Sequence, residues 1–297
     1  MKIRPGRAAV RVAFLAVLAT AVWLSAAPLW AANFLWRVTG PQGGEAYILG
    51  SIHLAHPGLY PLREPIMEAF ADSAALVVEI DMDGLPPDAV NRFISTHGLS
   101  SDLRPLPERL VPATRALLEK SGYYQAYMDN LTPWMAALSI QMDVLNTHGF
   151  EPQYGLDKYF LGLARSRGLP ILSLETLDDQ LGMLADMDAA QADLFLRSTL
   201  LEIGDLPQTI QTFLDSWNSG DVAKFAAVFF QEYDKYPELR PLLDRIIFRR
   251  NDTMAARIEG LLRQSKTHFI VVGAGHLAGG RSILARLSAK GFSITQL

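Results

Sequence analysis

Cysteine does not occur in the 297 residues of this chain. Disulfides, cysteine-ligated zinc, iron–sulfur clusters and thiol nucleophiles are therefore excluded. Any metal would depend on His, Asp, Glu, Asn or backbone oxygen. Several catalytic signatures are missing as well. There is no His-Glu-x-x-His helix, no Gly-x-Ser-x-Gly elbow and no phosphate loop ending in Gly-Lys-Ser/Thr. Gly273-Ala274-Gly275 lacks the third glycine and the later acid of a dinucleotide loop. With 22 glycines and 17 prolines the chain is neither collagen-like nor broadly disordered. No repeat with a period of about 20–50 residues is present, which argues against a solenoid.

After the N-terminus there is no second apolar run of membrane-spanning length. The first run follows the basic residues Lys2, Arg4, Arg7 and Arg11 and extends from Val12 to Leu24. Small and apolar residues then lead to Ala31-Ala32. Basic, apolar and small-residue regions in this order predict a secretory signal peptide over residues 1–31. An uncleaved membrane anchor is the alternative. Either way the remainder, residues 32–297, is expected to be exported as a single domain, in a periplasmic setting that suits the lack of cysteine. Residues 1–31 hold four of the 27 basic residues and none of the 31 acidic ones, so the exported part has a net charge of −8. An acidic body argues against a nucleic-acid partner.

The pattern predicts an α/β fold: a mixed sheet with strands from both chain ends and a mostly helical middle. Residues 34–38 and 46–49 read as a hairpin around a turn-rich Thr39–Gly44 segment. Residues 65–71 suit a short helix, and 75–80 an apolar buried strand. From about Pro86 to Ser265 helical spacing dominates, with one strand at 171–175 and helices at 189–203, 221–233 and 245–262. The end returns to a strand (268–272), a helix (281–290) and a last strand (292–295). A strand–helix–strand unit favours parallel pairing of its strands.

Two places share one design. Tyr47-Ile48-Leu49 leads into Gly50-Ser51-Ile52-His53, and Ile270-Val271-Val272 leads into Gly273-Ala274-Gly275-His276. Each is an apolar strand, a glycine that lets the backbone turn sharply, and a histidine three residues on. With 22 glycines and six histidines, chance supplies about 0.4 such pairs, so the preceding strands carry most of the information. Ligands in open α/β sheets collect beyond the carboxyl ends of strands. Glu79 and Glu175 fall at the ends of apolar strands, where a carboxylate is costly unless paired or bound to a cation. His53, Glu79 and His276 together supply two imidazoles and a carboxylate, a set able to hold a divalent metal and leave positions open for water. In Arg249-Arg250-Asn251-Asp252 the alternatives are an exposed helix face and an inward Arg250 that stabilises an oxyanion or a substrate carboxylate. Asp157 suits the first turn of a helix. His56 reads as a loop residue, and His97, His148 and His268 as structural.

These segments resemble the TraB/GumN family, which includes the TIKI proteases and the pheromone-shutdown proteins. The resemblance rests on Leu49-Gly50-Ser51-Ile52-His53, Val77-Val78-Glu79-Ile80-Asp81, Gly155-Leu156-Asp157, Leu174-Glu175-Thr176, Arg250-Asn251 with Met254-Ala255, and Val272-Gly273-Ala274-Gly275-His276-Leu277. Ser51 stands where many relatives have Thr, which keeps the hydroxyl. The resemblance implies an erythromycin-esterase-like core and metal-dependent peptide cleavage supported by manganese or cobalt. It implies a site of His53, Glu79, Arg250, Asn251 and His276, with Asp157 and Glu175 in support. The resulting expectation is an exported metal-dependent hydrolase acting on a peptide or small molecule, with Mn, Co or Zn. His53 and His276 would bind the metal, with Glu79 as third ligand or general base. Arg250 would stabilise the oxyanion, and Asn251 would orient substrate or metal. A metal-free histidine hydrolase and a ligand-sequestering module are the alternatives. Membrane contact is expected only if the N-terminal segment is retained.

Overall fold

The computed structural model describes residues 32–231 and 237–297. The expected signal segment and the predicted helix end at Tyr233 lie outside these residues. Among the described residues no helix is long and apolar enough to cross a membrane.

Six strands form one mixed sheet: β1 (Leu35–Thr39), β2 (Glu45–Ser51), β3 (Ala75–Val78), β4 (Ile171–Ser173), β5 (His268–Gly273) and β6 (Ser293–Gln296), in the order β4-β3-β5-β2-β1-β6. β1 and β2 form the predicted hairpin, with Leu35 opposite Leu49 and Thr39 opposite Glu45. β5 runs parallel to both β2 and β3, and β3 runs parallel to β4. The α/β architecture with strands from both chain ends is therefore present.

One pairing differs from expectation. β6 does not pair with β5; it joins β1 in antiparallel register, with Val38 opposite Ile294. Both edges of β5 are already occupied by β2 and β3. The chain crosses β2 and β1 to reach a free edge, and β6 keeps the direction of β5 without touching it.

The longer helices among the described residues are α1 (Glu64–Ala71), α2 (Pro112–Ser121), α3 (Pro133–Thr147), α4 (Leu156–Arg167), α5 (Ala189–Glu202), α6 (Leu206–Ser219), α7 (Val222–Phe229), α8 (Arg250–Leu261) and α9 (Ile283–Ala289). Side chains of a strand alternate between faces, and all six residues of β5 are buried, so the sheet is covered on both sides at its centre. Phe269 on β5 meets Phe70 of α1 and Phe160 of α4, with ring centroids 5.4 and 4.8 Å away. A second apolar cluster lies in the helical middle, built from Leu118, Ala136, Ile140, Val144, Leu196 and Leu200 of α2, α3 and α5. Asp188 opens α5 with a reciprocal cap to Gln191, and Ser282 caps α9.

This topology gathers the site. The four parallel strands β2, β3, β4 and β5 end at Ser51, Val78, Ser173 and Gly273 on one side of the sheet. His53, Glu79, Glu175 and His276 all follow within three residues of those ends.

Candidate functional site

Glu79 lies just past β3 and is almost fully buried, with 4% of its side chain exposed. Each of its partners is a donor. Oε1 accepts from the Gly273 amide at 2.6 Å; Oε2 accepts from Arg250 Nη2 at 2.6 Å and Gln180 Nε2 at 2.9 Å. Burial pushes the Glu79 pKa up; the charges of His276, Arg250 and His53 and the Gly273 amide outweigh it and hold it down, at about 2. At neutral pH His276 is uncharged, so Arg250, the protonated His53 and the amide are the groups that keep Glu79 ionised.

Arg250 points inward. Its Nε and Nη2 fork onto Glu175 at 2.8 and 2.6 Å, and Nη1 donates to the Ile246 carbonyl at 3.2 Å. Burial opposes the guanidinium charge, but Glu175 and Glu79 raise its pKa above the ordinary value. Burial pushes the Glu175 pKa up, against the pull of Arg250. Arg249 and Asp252 are exposed while Asn251 is fully buried, so the polar cluster splits between a solvent face and the site. The expected continuous helix at 245–262 is a π-helical turn over Asp244–Arg249 followed by α8. A second π turn, Asp178–Gly182, carries Gln180 to Glu79. Such turns shift the residues after them around the helix axis and often accompany functional sites.

His276 is buried and held by Asn251. The Asn251 amide nitrogen donates to the Arg281 carbonyl at 2.9 Å, which leaves its oxygen to face His276 Nδ1 at 2.6 Å. Burial lowers the His276 pKa to about 4, against the pull of Glu79. The neutral ring thus carries its proton on Nδ1 and presents the Nε2 lone pair, 3.6 Å from Glu79 Oε1.

His53 has a parallel arrangement on a more open wall, with 59% of its side chain exposed. Nδ1 donates to Asp157 Oδ2 at 2.7 Å, and the Ser51 hydroxyl donates to the same oxygen. Asp157 is in the first turn of α4, as expected, but it also anchors this histidine. The Leu156 amide bonds the Ile52 carbonyl at 3.1 Å, and a Cβ on Gly155 would stand 2.3 Å from the His53 carbonyl oxygen. Only glycine lets α4 approach the motif this closely. The charge of Asp157 raises the His53 pKa to about 9, with Glu79 acting in the same direction.

Asp157→Asn should therefore bring the His53 pKa down toward 6.5, its ordinary value. Ring-proton NMR across pH in chelator-treated protein measures this; a value still near 9 would exclude Asp157 as the cause. The linkage sign follows: the pair's contribution to stability is complete below the unfolded value of 6.5 and is lost as pH rises through about 9.

The two motif glycines act through space and not through a turn. Gly273 has φ −50°, which any residue adopts, and Gly50 lies within β2. A Cβ on Gly50 would press into the Phe34 ring at 2.4 Å. A Cβ on Gly273 would stand 3.3 Å from Glu79 Oε1, 3.4 Å from His53 Nε2 and 3.4 Å from His276 Cδ2. The missing side chain leaves a space that all three side chains border.

The remaining histidines are structural. His56 Nδ1 accepts from the Gly58 amide, His148 bonds the Val144 carbonyl, His97 packs on Phe93, and His268 is buried at the start of β5. Gln180 was not anticipated; it lies five residues after Glu175 in a segment with no distinguishing sequence signal.

In donor chemistry the set fits a divalent cation: two imidazole Nε2 atoms, each with Nδ1 tied to an oxygen, and one carboxylate oxygen with a lone pair to spare. Two buried carboxylates, Glu79 and Glu175, also share a single guanidinium. The side chains are not drawn into a closed shell, and among the described residues no three His, Asp or Glu groups stand close enough to hold an ion.

The molecule is thus an α/β protein with a histidine–carboxylate cluster at the carboxyl edge of its parallel strands. A family model described as the TraB/PrgY/gumN family matches residues 34–296, and the chain belongs to that family. It is 22% identical over 166 residues to the uncharacterized protein YbaP of Escherichia coli K12, covering 54% of this chain and 61% of that protein. It is 22% identical over 329 residues to metalloprotease TIKI2 of Xenopus tropicalis, covering 88% of this chain and 59% of that protein. A metalloprotease TIKI homolog of Amphimedon queenslandica is 36% identical over 58 residues, covering 19% of this chain and 11% of that protein. The chain therefore spans about three fifths of the length of YbaP and TIKI2. No solved structure matches it.

Proposed function

We propose that this chain is an exported, divalent-metal-dependent hydrolase that cleaves peptides. The observation that carries the proposal is the convergence of His53, Glu79 and His276 on the space left by Gly273, with both imidazoles held at Nδ1. Its relatives named metalloproteases support the reaction class, and the basic–apolar–small N-terminus supports export to the periplasm. Manganese, cobalt or zinc would be held by His53, His276 and Glu79 and, when bound, would polarise a carbonyl and lower the pKa of water.

The chain's own residues then have distinct tasks. Asp157 and Asn251 keep each Nε2 aimed at the substrate side. Arg250 and the Gly273 amide keep Glu79 ionised, either as third ligand or, in the alternative, as the base that takes a proton from an attacking water within hydrogen-bond reach. Glu175 holds Arg250 in place, and the engaged guanidinium acts chiefly through Glu79.

A second reading dispenses with the ion. The environments drive the two imidazoles apart, with pKa about 9 for His53 and about 4 for His276, as suits an acid and a base. Chelator-stripped protein assayed on a peptide pool, with and without each ion, separates the two. Activity restored by an ion, and reduced by about 10³-fold in His53→Ala or His276→Ala, is the expected result. Full activity after stripping would favour the metal-free reading. Saturable peptide binding with no product by mass spectrometry would favour sequestration.

A further inference from the structure

Two cavities meet at His53 and Glu79, and they differ in character. One, about 260 Å³, is lined by Asp83, Asp157, Lys158 and Gln180 among others. The other, about 290 Å³, has the Gly273-Ala274-Gly275 turn on one side and Ile210, Phe213, Phe225, Phe229 and Ile247 around the rest. These apolar residues come from α6, α7 and the π turn before α8. Helical spacing places Ile210 with Phe213 and Phe225 with Phe229 on common faces. The rings support one another: Phe213 and Phe225 lie 4.9 Å apart, and Phe225 stacks with Phe229 at 5.7 Å. Gly275 also has a reason here, since a Cβ on it would stand 2.4 Å from the Phe229 ring. Its absence lets that ring close over the motif.

We propose that this aromatic cavity receives the side chain of the substrate residue next to the scissile bond, so that cleavage is directed to large apolar residues such as Phe, Leu or Met. The proposal rests on the hydrolase reading above. A carbonyl placed over Gly273 has the reacting groups on one side and the apolar cavity alongside. Arg250 is the charged group at its edge besides the reacting groups, and its donors are committed to Glu79, Glu175 and the Ile246 carbonyl. A charged substrate side chain would lose its hydration there without gaining a partner. The polar cavity on the far side, with Lys158 and Asp83, gives the neighbouring residue a different preference, so the substrate has one direction of binding.

The test is digestion of a mixed peptide pool by the ion-supplied protein, with products sequenced by mass spectrometry, followed by kcat/KM on matched peptides. Cuts beside Phe, Leu or Met, and a Phe-over-Ala ratio of about 10- to 200-fold, are expected. Ile210→Trp, which fills the cavity, should reduce that ratio by about tenfold or more. Phe213→Ala, which widens it, should move the preference toward Trp. Cuts without apolar preference, or ratios untouched by both variants, would overturn the proposal and leave the hydrolase reading intact. If no peptide is cut, the hydrolase reading fails, and calorimetric titration with N-acetylphenylalanine amide decides for the cavity. Saturable binding lost in Ile210→Trp supports it; no binding overturns it.

Discussion

Replacing Arg250 with methionine should destabilise the protein by about 3–5 kcal/mol at neutral pH, because it leaves two buried carboxylates without their cation. The Glu79 and Glu175 side chains are 4% and 1% exposed, and each accepts from Arg250 at 2.6 Å. The pH dependence that comes from Glu79 should also change sign. In the wild type Glu79 titrates at about 2, below its unfolded value of 4.5, so its contribution is present above 4.5 and lost as pH falls toward 2. Without the guanidinium, burial and mutual repulsion raise both carboxyls above their unfolded values. The variant should then lose stability relative to the wild type as pH rises, and because the His53 pair contributes to both proteins, the difference between them in denaturant unfolding at about pH 5 and pH 8 reads this. A double variant with Glu175→Gln should recover part of the loss, since only one carboxylate then needs a partner. Wild-type stability of the single variant at pH 8 would show that the ion cluster is not what holds this region together. Lysine is not an adequate substitute: a point charge cannot fork onto Glu175 and reach Glu79 together.

Much of the site was visible in the chain because strands announce themselves and chemistry sits at their ends. The apolar runs before Gly50, Glu79, Glu175 and Gly273 marked four strand termini, and parallel pairing through β5 brought them to one edge. What the pattern did not show was set by tertiary contacts. The position of β6 depends on which sheet edge is free, and local periodicity carries no information about that. The role of Arg250 depends on a π turn that alters the helical register before it, invisible in a sequence that reads as one continuous helix. Gln180 is one of several polar residues after β4, and only the π turn at Asp178–Gly182 singles it out. The motif glycines were legible as glycines but not for the right reason. Their backbone angles are ordinary; what they supply is room for Phe34, for Phe229 and for the three facing groups around Gly273. Phe213, Phe225 and Phe229 look like core by spacing, and the fold turns their edges into a cavity wall.

Glu79→Gln should cost about 10²- to 10⁴-fold in peptide turnover, a loss far larger than its effect on folding. The substitution keeps the volume of the side chain and changes only what it can offer. Gly273 N–H, Arg250 and Gln180 all donate to Glu79, so a glutamine must turn its own NH₂ toward at least one donor. The unsatisfied pairing, together with the weakened Arg250 interaction, should lower stability by about 1–3 kcal/mol. Because the ionised carboxylate supports the wild type only above its titration range, the stability gap between the two proteins should narrow as pH falls from 4.5 toward 2. Turnover follows a different rule. It needs a group at this position that can accept a proton or bind a cation with a negative charge, and a glutamine amide, at best a weak neutral oxygen ligand, does neither at any pH. Measuring kcat/KM beside unfolding free energy across the same pH range separates the two effects. A variant that is less stable yet turns over peptide at the wild-type rate would remove Glu79 from the chemistry. It would leave the carboxylate as the buried partner of Arg250 and nothing more.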